Sequence, residues 1–173
     1  MDIILDPNTC SQTFGNYMEK ELKEILNNRY RYFGVEGTVN VDPDPYWMLS
    51  DFYSVADMFH CACLLVIKHY TIRFNADDLS SIPVPISYVM NESALRIAYR
   101  LGRYFQVVYS VHDNMDSPEI HLLVNNINLK TGHFTEYERD YFDSEYYVIQ
   151  DVVLKVIEKY KVKSTTYPWK VSS

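Results

Sequence analysis

Two histidines and an acid lie close together late in the chain, as His112, Glu119 and His121, with a polar turn between them. Alternate residues of a strand share a face, so Glu119, His121 and Asn125 point the same way. His112 ends the strand-like run before the turn. A pairing register that puts His112 on that face brings two imidazoles and one carboxylate together. Such a set holds a divalent cation and leaves coordination positions open for substrate. Its nitrogen content suits Mn²⁺, Zn²⁺ or another transition metal better than Mg²⁺, which prefers oxygen ligands. The spacing has an ordinary reading too, as partly buried histidines that hydrogen-bond beside a turn. It also matches the donor set of an iron-dependent oxidase.

The elements that must position these residues are legible from periodicity. Cys63 to Phe74 is rich in β-branched and aromatic residues and predicts a strand. Met90, Ala94, Ile97, Ala98 and Leu101 share one face of a predicted helix over Ser87–Arg103, which Gly102 helps to end. Tyr104–His112 and Glu119–Ile127 are predicted strands, antiparallel neighbours across the turn at Asp113–Pro118. Lys130-Thr131-Gly132 marks a further turn. Ile149, Val152, Val153, Val156 and Ile157 predict a helix over Glu145–Tyr160. Earlier in the chain, Ile3–Leu5 is a short strand-like start, and Phe14–Asn28 has helical spacing. Gly34 and Gly37 bracket an expected loop. Asp42-Pro43-Asp44-Pro45 opens a helix to about Phe59, expected to bury Trp47, Met48, Phe52, Val55 and Met58 or Phe59. The second half thus reads strand, helix, strand, strand, helix. This is the pattern of an α+β fold, an antiparallel sheet of about five strands with helices packed on it in the split βαβ style.

With 173 residues the chain fits a single domain, read here as 1–173 with a flexible tail over 161–173. At 47% apolar residues it can bury a substantial core. Its net charge of −7 argues against holding duplex DNA by diffuse positive charge, which needs clustered cations. Glu36, Asp42, Asp44, Asp51 and Asp57 follow one another with no Lys or Arg between Arg31 and Lys68, and that face would repel phosphate. Cys10, Cys61 and Cys63 have no metal-ligand spacing and suggest a reducing compartment. The N-terminus has no signal-peptide pattern, and no apolar window reaches the length of a membrane span. The expectation is a soluble, intracellular protein with no membrane partner.

The stretch His69–Phe134 resembles conjugative relaxases, the mobilization nucleases of the MobA/VirD2 type. In that family a helix ends in a small residue, followed by a strand ending in His and an acidic turn. Next come a His-x-His pair, an Asn and an Asn-x-x-x-Gly turn. Here these are Gly102, His112, Asp113-Asn114-Met115-Asp116, Glu119-Ile120-His121, Asn125 and Asn128-Leu129-Lys130-Thr131-Gly132. Glu119 replaces the first histidine of the pair, a substitution that a minority of relaxases share. The usual histidine-rich turn is reduced to Asp116-Ser117-Pro118, and the family's basic character is missing.

The resemblance implies a relaxase-like fold and a metal site at His112, Glu119 and His121, for Mn²⁺ or Mg²⁺ with Zn²⁺ possible. It implies an endonuclease that nicks single-stranded DNA at the transfer origin of a plasmid or integrative element. The implied location is the bacterial cytoplasm, and the implied partners include accessory mobilization proteins. It also implies a tyrosine nucleophile near the N-terminus. Tyr17 occupies the best-matching place, followed by Tyr30 and Tyr32, which lie beside the phosphate-holding candidates Arg29 and Arg31. Sixteen tyrosines in the chain make each of these equally readable as a packing or surface residue.

Arg96, Arg100 and Arg103 fall on one helical face and, with Asn125, are candidate DNA contacts. Glu92, four residues before Arg96, favours an ordinary solvated face with an ion pair. The alternative to a live nuclease is a catalytically degenerate relaxase-derived module that binds DNA or protein.

Overall fold

A computed structural model of the chain describes residues 2–5, 36–60, 67–75, 79, 82–113, 118–133 and 139–166. The elements in chain order are β1 (Asp2–Leu5), β2 (Glu36–Val39), α1 (Pro45–Met58), β3 (Ile67–Arg73), α2 (Ile86–Leu101), β4 (Val107–His112), β5 (Glu119–Asn125) and α3 (Arg139–Thr166). The strands form one sheet in the order β1-β3-β5-β4-β2, with every neighbouring pair antiparallel. The α+β reading holds, as does the antiparallel pairing of β4 with β5.

Alternation along the central strands sorts their side chains onto two faces. Tyr70 and Ile72, Val107, Tyr109 and Val111, and Ile120, Leu122 and Val124 face α2 and α3 in the larger core cluster. On α2 the residues Met90, Ala94, Ile97, Ala98 and Leu101 are buried, as their spacing predicts. On α3 Ile149, Val152, Val153, Val156 and Ile157 join them. Each fully buried aliphatic side chain contributes about 1.5–3 kcal/mol of transfer free energy, so this layer dominates the apolar stabilisation.

Among the described residues, the opposite face is covered by α1. Met48, Phe52 and Ala56 of α1 pack over Val108, Leu123 and Ile127. Trp47, expected in this core, is instead 51% exposed. Of the alternatives Met58 and Phe59, it is Phe59 that packs here, while Met58 is 69% exposed. The stripe that docks recurs every fourth residue as 48, 52 and 56, which turns their neighbours outward.

A second departure from the sequence reading lies at Gly37, which is within an edge strand and not a loop. A Cβ at Gly37 would lie 2.4 Å from the Tyr109 ring, its partner in the register, so a glycine is needed for the ring to cross the strand. The bordering Asn40 has a left-handed φ of 60°, and its side-chain amide donates to the carbonyls of Gly102 and Phe105. The Asn128–Gly132 turn forms as expected. Asn128 Oδ1 accepts from Lys130 N at 2.9 Å, and Gly132, at φ 70°, lies under the Phe59 ring.

The last helix extends beyond the expected span at both ends and runs to Thr166, into the stretch read as a tail. The expected helix at 14–28 and the cysteines lie outside the described residues. Among the described residues no helix is long and apolar enough to cross a membrane.

Candidate functional site

The face on which α1 packs carries the candidate chemistry. In the β4–β5 register His112 stands opposite Glu119, and Ser110 stands opposite His121. In the β3–β5 register Arg73 stands opposite Glu119, Thr71 opposite His121, and His69 opposite Leu123. Paired residues share a face, so His112, Glu119 and His121 converge as the sequence predicts. The structure adds two neighbours from β3, His69 and Arg73. Neither carried a local signal: both lie about fifty residues from β5, and only the strand pairing brings them there.

The cluster is a chain of contacts centred on His121. Its ring centroid is 4.7 Å from that of His112 and 5.2 Å from that of His69. His121 Nδ1 hydrogen-bonds with His69 Nε2 at 2.9 Å, with Thr71 Oγ1 a longer second contact at 3.4 Å. Its other nitrogen, Nε2, lies 3.3 Å from Glu119 Oε2. The second oxygen of Glu119 accepts from Arg73 Nε at 2.7 Å. Glu119 is thus held between an imidazole and a guanidinium, and Arg73 remains half exposed at the rim.

The electrostatics keep the rings neutral at ordinary pH. Burial, with His112 and His69 adding repulsion, pushes the His121 imidazole down to about 4 against the opposing pull of Glu119. Burial also lowers His112, against Glu119 and Asp113. Neutral imidazole is the form that ligates metals. His112 Nε2 is buried and has no hydrogen-bond partner among the described residues, an arrangement that is costly unless something else occupies the lone pair or proton.

Two imidazoles and a carboxylate beside such an orphaned nitrogen fit a divalent cation in donor chemistry. In the arrangement described, Glu119 contacts His121 Nε2 directly at 3.3 Å, and His112 Nε2 bonds to neither. Accordingly, among the described residues no group of three or more His, Cys, Asp or Glu is arranged to hold a metal ion.

The other candidates fall elsewhere. Asn125 is fully buried; its Nδ2 donates to Gln106 Oε1 at 2.7 Å, and its Oδ1 accepts from Ile127 N at 2.9 Å. Gln106 Nε2 in turn donates to the carbonyls of Asn40 and Asp51. Both ends of the Asn125 amide are therefore occupied in a clamp joining β5, β4 and α1, where they are not presented to a DNA strand.

Arg96, Arg100 and Arg103 line a groove of about 320 Å³ between α2 and α3, with Tyr99 and Lys155. Arg96 pairs with Glu92 at 2.6 Å, as the spacing suggested, and Arg100 with Asp151 at 3.1 Å. This groove lies on the helical layer, across the sheet from the histidines. Tyr17, Arg29, Tyr30, Arg31 and Tyr32 lie outside the described residues.

The histidine-centred cluster thus lies on one face of an antiparallel sheet whose other face is backed by α2 and α3. The family model for the MobA/VirD2-like nuclease domain of relaxases matches residues 17–161, a span that takes in the whole histidine cluster. The chain belongs to that family as a relaxase nuclease domain. No curated protein and no solved structure matches it.

Proposed function

We propose that this domain is a metal-dependent strand-transfer nuclease that nicks single-stranded DNA at the transfer origin of a plasmid or integrative element, in the bacterial cytoplasm. The observation that carries this reading is the convergence of His112, Glu119 and His121 on one face of β4 and β5, within a chain of the relaxase family.

These three residues would hold Mn²⁺ or Mg²⁺, with the nitrogen-rich set favouring Mn²⁺ and also admitting Zn²⁺. A cation bound there would withdraw charge from a non-bridging oxygen of the scissile phosphate, an effect worth several kcal/mol. Burial keeps His112 and His121 neutral, so their lone pairs are available. Arg73, at the rim and beside Glu119, supplies a guanidinium for the DNA backbone.

A tyrosine hydroxyl, with Tyr17 ranked ahead of Tyr30 and Tyr32, attacks phosphorus. The phenolic O–P bond forms as the P–O3′ bond breaks, and the phenolic proton ends on the departing 3′ oxygen. The products are a 5′-phosphotyrosine and a free 3′-OH. Arg29 and Arg31 are candidates to hold the phosphate, and accessory mobilization proteins are the expected partners. The Arg96–Arg100–Arg103 groove would meet the same strand only after it had passed round the sheet edge.

Labelled oligonucleotides incubated with the protein and Mn²⁺ should yield a covalent protein–DNA adduct that Tyr17→Phe abolishes. Full activity of that variant would pass the role to Tyr30 or Tyr32. A catalytically inert DNA-binding or protein-interaction module is the second reading, favoured by donors that bond to one another. It predicts no adduct and no thermal stabilisation by Mn²⁺.

A further inference from the structure

We propose that His69 is a positioning residue for His121, orienting its ring so that Nε2 faces the reaction side. This inference rests on the reading of His121 as a metal ligand. His121 presents its two nitrogens in opposite directions: Nδ1 meets His69 Nε2 at 2.9 Å, and Nε2 faces Glu119 Oε2 at 3.3 Å.

A ligating histidine needs its second nitrogen fixed by a hydrogen bond, which sets the ring orientation and the tautomer. For Nε2 to offer a lone pair, Nδ1 must carry the proton, and His69 Nε2 at 2.9 Å is the nearer of its two acceptors, Thr71 Oγ1 lying at 3.4 Å. His69 is well suited to hold that place. It is buried at 7% exposure and sits on β3, whose register with β5 runs unbroken from Ile67 to Arg73. The hydrogen bond therefore joins two rigid neighbouring strands. An imidazole can donate as well as accept, so His69 also holds the ring when the proton of His121 sits on Nε2 beside Glu119.

The strand register separates His69 from the three proposed ligands. His69 lies opposite Leu123, two residues along the strand from His121 and on the side away from Glu119 and His112. It touches the cluster from behind.

The test uses the full chain in three forms: wild type, His69→Phe and His69→Gln. Melting curves first establish that each variant folds. In metal-free protein labelled with ¹⁵N in histidine, His121 should show a single tautomer in the wild type. In His69→Phe its Nδ1 signal should shift and broaden, since Glu119 still faces Nε2 and the nearer Nδ1 partner is lost. The wild-type pattern should return in His69→Gln, which retains a donor and an acceptor. Titration with Mn²⁺ should show affinity lowered roughly 10–100-fold in His69→Phe, the range for lost supporting hydrogen bonds, and largely recovered in His69→Gln. Unchanged His121 signals in a folded His69→Phe protein overturn the proposal, as does a Mn²⁺ affinity equal to wild type. If the wild type binds no Mn²⁺, the metal reading fails by itself, and the tautomer spectra still decide whether His69 holds the ring.

Discussion

The two faces of the sheet handle buried polarity in opposite ways. On the helical side, Lys68 and Tyr70 of β3 reach Glu145 of α3 within an otherwise apolar layer. The Lys68–Glu145 pair is 3.2 Å apart, both residues are 2% exposed, and the phenol donates to the same carboxylate oxygen. Burial, reinforced by Glu145, pushes the Tyr70 hydroxyl pKa up and keeps it protonated. Both contacts fall on Oε2, and Glu145 Oε1 is buried without a hydrogen-bond partner among the described residues. On the other side, among the described residues, α1 packs over one end, and the histidines lie beyond it with a buried, unpartnered ring nitrogen at His112. Each face thus keeps a buried polar atom without a partner among the described residues. On the helical side it belongs to an ion pair that fixes α3 on the sheet, whereas on the other it belongs to a cluster of neutral rings that can take up a ligand. The comparison separates structural charge from chemical charge, although both use residues from β3.

The largest expected effects fall on the helical face. Glu145→Leu should destabilise the fold by about 3–5 kcal/mol, since it removes the carboxylate that Lys68 and Tyr70 share. The double change Lys68→Met with Glu145→Leu should recover much of that loss in urea unfolding. A double variant no more stable than the single one would break the contrast between the faces. Leu122→Ala, in the same layer, should cost about 2–5 kcal/mol.

On the histidine face the expected effect is on ligand-linked stability. Mn²⁺ at a hundred times its Kd should stabilise the wild type by about 2.7 kcal/mol. His112→Ala should remove that gain while the metal-free protein still melts cooperatively. An undiminished Mn²⁺ shift in this variant would exclude His112 from the ligand set.

A pH series of metal-free protein sharpens the comparison further. The folded-state pKa values of His121 and His112 lie below the ordinary histidine value, so the unfolded chain takes up protons first as pH falls. Their contribution is complete above about pH 6.5 and is lost progressively towards pH 4, so the melting temperature should decline across that window. A His121→Asn protein should show a shallower decline. The smallest effect belongs to the helical surface. Arg96→Ala removes an exposed pair with Glu92 and should change stability by less than about 0.5 kcal/mol.

Much of this contrast was legible in the residues. Period-two alternation in β4 and β5 separated Ile120, Leu122 and Val124 from Glu119 and His121, and the short connection made the two strands antiparallel neighbours. Helical spacing picked out the buried face of α2 and the Glu92–Arg96 pair. Gly37 misled because a glycine required for close cross-strand contact looks the same in sequence as one required for a turn. Trp47 is exposed against expectation because bulk and apolarity do not state which stripe of a short helix docks. Asn125 was placed on the correct face, but its depth and its Gln106 partner depend on how α1 closes over that end.

The sequence by itself determined the types of the main elements, the hairpin and the sharing of one face by Glu119 and His121, since these follow from local periods and a short connection. The register of the hairpin brought His112 onto that face. Only the tertiary structure decided that β3 lies beside β5, and in which register. That pairing supplies His69 and Arg73 to one side of the sheet and Lys68 to the other. Local periodicity fixes which residues of β3 share a face, but a one-residue slip against a distant strand exchanges the two sets, and the packed layers on both sides select between them.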